Sequence, residues 1–119
     1  MDKLDKRYLS QKEIIKELNE SIFLTRHAVI PVIHVLNEQQ AVHNASIAWR
    51  SHCNGVFLIN HSGMLHGELL EVSNAVIRKL PHMWVGVNFL DLSAEGAFEF
   101  FSDGKGGALN GLWIDNAMV

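Results

Sequence analysis

Short apolar runs recur along this chain, and each closes on a polar cluster. They read Val29-Ile-Pro-Val-Ile-His34, Gly55-Val-Phe-Leu-Ile-Asn60-His61, Trp84-Val-Gly-Val-Asn88-Phe-Leu-Asp91 and Gly111-Leu-Trp-Ile-Asp115-Asn116. From Val32 to Phe57 is 25 positions, to Gly86 another 29, and to Trp113 another 27. The runs are continuous instead of alternating, which is the signature of strands buried on both faces, as in parallel sheets covered by helices. Gly86 sits at the middle of the third run, where a side chain would crowd the centre. Pro31 removes one backbone donor and suits an edge strand or the start of a sheet.

The stretches between the runs carry helical signals. Ser10-Gln-Lys-Glu13 reads as a capping box, and Ile14, Leu18 and Ile22, with Ile15 beside them, form one apolar stripe. They predict a helix over 11–24, which has no strand before it and is expected to pack on the amino-terminal end of the strands. Asn37 reads as the N-cap of a helix over 38–52, lined by Ala41, Ala45 and Ala48 with Trp49 adjoining. Asn54-Gly55 is a turn signal. A helix over 67–80 buries Leu69, Val72, Val76 and Leu80 and stops at Pro81. Ser93 caps a short helix over 94–101, and Asp103-Gly-Lys-Gly-Gly107 reads as a flexible link. Strand and helix alternate with short connections, which gives right-handed crossovers. The predicted class is α/β: a parallel (βα)4 half of a TIM barrel preceded by an N-terminal helix. Residues 1–26 form the lead-in and helix, and 27–119 the half-barrel. Such barrels close with eight strands, so the half-barrel is expected to be incomplete. The last strand comes almost at Val119 with no helix after it, and that pattern favours a truncated product.

Composition narrows the function classes. The chain has 119 residues, 48% hydrophobic and 19% charged, which suits one domain with a core and excludes a disordered segment. Its net charge is −3, and beyond Arg26 only Arg50, Arg78, Lys79 and Lys105 stand against eight carboxylates. Nucleic acid and an anionic membrane surface are poor partners for that balance. The charged start carries no signal-peptide core, and the longest apolar run is far shorter than a membrane span. A cytoplasmic protein is expected. Cys53 stands alone, so neither an intrachain disulfide nor a cysteine zinc site is available.

In a parallel barrel the polar strand ends converge on one rim. The candidates there are His34, Asn60, His61, Asn88, Asp91, Asp115 and Asn116. His34 suits a general acid or base near neutral pH, and Asp115 its charge partner. Asn60 and Asn88 follow their runs at the same relative place and suit positioning of hydroxyl or carbonyl groups. His61, Asp91 and Asn116 complete the substrate-binding set. Each has a structural alternative: a histidine satisfied at a strand end, an asparagine bonding neighbouring backbone, a loop residue capping a helix. His27, His43, His52, His66 and His82 are assigned to helices or exposed loops without chemical role. A metal held by His34, His61 and Asp115 is disfavoured, because metal-dependent hydrolase barrels carry two histidines one residue apart on the first strand. No metal and no cofactor are expected. Gly104-Lys-Gly-Gly107 precedes a strand and lacks a following Ser or Thr, so it is not a phosphate loop. Trp49, Trp84 and Trp113 are expected in the core.

Pro31-Val-Ile-His34-Val, Gly55-Val-Phe-Leu-Ile-Asn60 and Val85-Gly-Val-Asn88-Phe-Leu resemble the first three strands of the BtpA-type TIM-barrel family. There the strands end in a histidine, a Glu-Asn pair and Gly-Ile-Asn-Val-Leu, positions matched here by His34, Asn60 and Asn88. A polar residue closing the family's fourth strand is matched by Asp115 or Asn116. Ile59 stands where the family has an acidic residue, and the family's Pro-rich loop after the first strand is absent. The resemblance covers about residues 29–117 and implies the amino-terminal half of an aldolase-type barrel. In barrels of that type the phosphate site comes from the last two strands, which this chain does not contain.

Three readings follow from the sequence. One is a barrel polypeptide binding a small polar metabolite, of sugar-phosphate or nucleoside type, at its strand ends. Another is a non-catalytic biogenesis or assembly factor on the same scaffold. The last is an inactive fragment. Four strands leave open edges that invite pairing, so a second copy of the chain or a missing carboxyl-terminal half is the expected protein partner.

Overall fold

The computed structural model describes residues 10–24, 27–61 and 63–115. The helices are α1 (Gln11–Leu24), α2 (Glu38–Arg50), α3 (His66–Lys79) and α4 (Ala94–Phe100). The strands are β1 (Val32–Val35), β2 (Gly55–Asn60), β3 (Trp84–Asn88) and β4 (Gly111–Leu112). The strands form one sheet in the order β1-β2-β3-β4, every pair parallel. The chain is therefore a (βα)4 half of a TIM barrel with a helix before its first strand. Among the described residues no helix is long and apolar enough to cross a membrane.

Local chemistry explains the elements. Glu13 N–H donates to Ser10 Oγ at 3.2 Å, and the Ser10 hydroxyl donates to the Glu13 carboxylate at 3.0 Å, so the serine caps α1 as its sequence indicates. Asn37 caps α2 by accepting from Gln40 N–H at 2.8 Å, and Ser93 caps α4 by accepting from Gly96 N–H at 3.0 Å. Helix α2 stops two residues before the expected end because His52 turns left-handed (φ 65°) and Cys53 N–H bonds back to Ala48 at 3.0 Å. The expected flexible link after α4 is instead a π-helical turn over Phe101–Lys105, broken where Gly104 takes φ 78°.

One face of the sheet carries Ile33, Val35, Val56, Leu58, Val85 and Val87, all buried. Ala41, Ala45 and Ala48 of α2 and Leu69, Val72 and Val76 of α3 cover it. The alanines let α2 lie close to the strands. Helix α1 packs at the amino-terminal end of the sheet, as expected: Trp84 Nε1 donates to Asn19 Oδ1 at 2.9 Å, and Asn110 Nδ2 donates to Ile15 O at 3.3 Å. The opposite face, which would line a barrel interior, carries Val32, Phe57, Gly86 and Gly111 in register. Phe57 meets Trp84 and Trp113 edge to face, with centroids 5.1 and 5.6 Å apart, and these rings pack together on that face. Of the three tryptophans expected in the core only Trp84 is buried; Trp49 and Trp113 lie 42% and 37% exposed.

Candidate functional site

Parallel strands place their carboxyl ends on one side, so the polar clusters share a rim. One step beyond the aromatic row, His34, Ile59 and Asn88 stand in register on the inner face. His34 and Asn88 are two strand spacings apart, about 10 Å.

His34 is exposed and meets His61 from the loop after β2. Nδ1 of His34 lies 2.5 Å from Nε2 of His61. The ring planes differ by 21° and the centroids are 4.7 Å apart, so the rings meet edge to edge. One nitrogen must donate and the other accept. His61 also lines a shallow cavity of about 230 Å³ with Leu36, Met64 and Glu68. On the other side of Ile59, Asn88 is 3% exposed, and its Nδ2 donates to the Asp115 carboxylate at 3.4 Å. His34 and Asp115 share the rim but not a contact: three strand spacings, about 14 Å, separate β1 from β4.

Asn60 departs from the expected geometry. Its register partner is Val35, not His34, so it points toward the helices while Asn88 points inward. The two asparagines do not hold the same relative place, because adjacent strand positions face opposite sides. Asn60 is 1% exposed and its polar atoms are engaged within the protein. Oδ1 accepts from Leu90 N–H at 2.7 Å, and Nδ2 donates to Met64 O at 2.8 Å and to Asp91 Oδ1 at 2.7 Å. Asp91 Oδ2 in turn accepts from His66 N–H at 2.9 Å and lies 2.7 Å from His66 Nδ1. Burial pushes the Asp91 carboxyl up, but the hydrogen bonds from the His66 ring and amide and from Asn60 outweigh it, and the group sits below its ordinary value of 3.8.

His66, expected from the sequence to lie before the helix and to have no chemical role, opens α3 and is part of this network. Its ring meets Phe100 and Phe89 edge to face at 5.1 and 6.1 Å. A carboxylate on Nδ1 fixes the tautomer and leaves Nε2 as the acceptor, the arrangement that serves a general base. The clue in the sequence was weak: a histidine opening a helix, 25 residues before an aspartate. The expected site residue Asn116 lies outside the described residues. Among the described residues no three His, Cys, Asp or Glu side chains form a group suited to a metal ion.

The fold is similar to that of PhdJ bound to substrate intermediate, at 11% identity and a TM-score of 0.55. The match covers 91% of this chain and 36% of that one, so the chain spans about a third of its length. At that identity the likeness shows the fold. No family model matches the chain, and no curated protein matches it.

Proposed function

We propose that the half-barrel binds a small polar metabolite, of sugar-phosphate or nucleoside type, at the carboxyl ends of its strands. The observation that carries this reading is the inner-face row in which the exposed His34–His61 pair and the Asn88–Asp115 pair flank Ile59. With one nitrogen donating and the other accepting in their contact, the imidazole pair leaves one donor and one acceptor nitrogen for a ligand. The exposed Asp115 carboxylate, held by buried Asn88, offers an acceptor to ligand hydroxyls. A span of about 10 Å between the two groups suits a pentose or a nucleoside. The resemblance to BtpA-type barrels at His34 and Asn88 supports the same rim. Asp91 and Asn60 serve it from behind, by fixing the loops that carry His61 and His66.

Isothermal titration with ribose 5-phosphate and adenosine tests the proposal. Saturable heat is expected with at least one of them, and His34→Ala should weaken it about tenfold, or ~1.4 kcal/mol. A folded protein that gives no heat with either would remove the reading.

The sheet edges favour a second role beside the first. Among the described residues β1 and β4 each pair on one side only, and Val29, Val32 and Leu36 are exposed along the β1 flank. A scaffold that completes its barrel with a second copy or a separate carboxyl-terminal half would cover them. Native mass spectrometry is expected to give a dimer for the chain alone; a monomer at every concentration would leave only the separate half as partner.

A further inference from the structure

The molecule has a larger cavity at the opposite end of the sheet. It lies between α1, the carboxyl end of α2 and the turn before β3, and holds about 610 Å³, within the range of small-molecule sites, roughly 300–1,000 Å³. We propose that this cavity binds a small anion carrying a flat apolar ring, an arene carboxylate.

The charge pattern is the first argument. The chain carries 13 acidic residues against 10 basic ones. Yet the cavity is lined by Arg50, His52 and His82 and by no carboxylate. Among the described residues no carboxylate pairs with Arg50. A planar guanidinium binds a carboxylate through two parallel hydrogen bonds. His52 adds its imidazole from a left-handed position, φ 65°, where glycine is the usual residue.

The second argument is the apolar lining: Trp49, which is 42% exposed, and Trp84 bring two indoles to the cavity, and α1 adds Leu18. Trp84 Nε1 is already committed to Asn19, so the Trp84 ring offers a surface and not a donor. Arg50 also sits in the last turn of α2, where it offsets the carbonyl end of the helix. That partial charge is about half a unit negative, so a positive surplus remains. The helix end accounts for Arg50 but not for the two imidazoles or the exposed indole beside it.

Benzoate is the probe, followed by the three tryptophan indole N–H signals in two-dimensional ¹H–¹⁵N spectra. Saturable shifts are expected at Trp49 and Trp84 and not at Trp113. Benzyl alcohol, which keeps the ring and lacks the charge, should bind at least tenfold more weakly. Inorganic phosphate, which keeps charge and lacks the ring, should do the same. Arg50→Gln should weaken benzoate about tenfold while the protein still melts cooperatively, and His34→Ala should leave benzoate binding unaltered. No saturable shift, a response confined to Trp113, equal binding of benzyl alcohol or phosphate, or undiminished binding by a folded Arg50→Gln protein would each overturn the proposal. None of these outcomes depends on whether the rim binds a metabolite.

Discussion

Gly55→Ala is expected to destabilise the protein by about 3 kcal/mol, the upper range for added bulk in a packed core. Gly55 opens β2 opposite Trp84, the first residue of β3. A Cβ there would run into the Trp84 carbonyl oxygen and lie 2.8 Å from Trp84 Cβ. Both are parts of a neighbouring strand that cannot swing aside, so the strands must separate where Asn54 and Trp84 also bond through their backbones. Gly86→Ala should cost less, about 2 kcal/mol, because its added carbon meets the ring edges of Phe57 and Trp84, at 2.5 and 2.9 Å, which can shift. Gly67→Ala is the control. It lies in the first turn of α3 with nothing within 4 Å, and alanine should be neutral or gain up to about 1 kcal/mol. Urea unfolding of the three variants gives the order. A Gly55→Ala midpoint equal to that of the parent would mean that β2 and β3 do not approach as described.

That close approach was partly legible in the chain. The spacing from Val32 to Phe57 to Gly86 is the strand register itself, because those three residues are aligned neighbours on one face. The third interval overshoots by two residues: Gly86 aligns with Gly111, and Trp113 follows on the same face. The helix starts were legible because caps are local, as at Ser10, Asn37 and Ser93. The helix end at His52 was not, since a histidine occupies a position where glycine would have announced the turn. The rim was legible as a set of polar strand ends, but not its division. Which face Asn60 takes depends on a one-residue register difference that the apolar run cannot display. The link from Asn60 to Asp91 to His66 ties the two ends of the β2–α3 loop to the loop after β3, 31 and 25 residues away. No local pattern records it. The amino-terminal cavity was hidden for the same reason, being assembled from α1, α2 and the turn before β3.

Asp91 ties those two loops together, and Asp91→Ala is expected to cost about 3 kcal/mol, the upper end of the range for hydrogen bonds to a charged group. The change leaves the His66 amide without its acceptor and removes one partner of Asn60 Nδ2, which keeps Met64 O. Asp91→Asn should cost less, about 2 kcal/mol, since its one oxygen still accepts from either Asn60 or His66 while its amide opposes the donor of the other. The two variants also separate charge from shape through pH. The Asp91 carboxyl is held below its ordinary value in the folded protein, chiefly against burial and by the His66 bonds. A depressed folded value means that the carboxylate stabilises the fold above the unfolded value of about 3.9. That contribution fades as pH falls through the folded value. The stability gap between the parent and Asp91→Asn should therefore be constant from neutral pH down to about pH 4 and shrink below it. Denaturant melts of both proteins across that interval measure the gap. A gap that stays constant below pH 3 would show that the Asp91 charge contributes nothing and that only its hydrogen-bonding shape holds the loops.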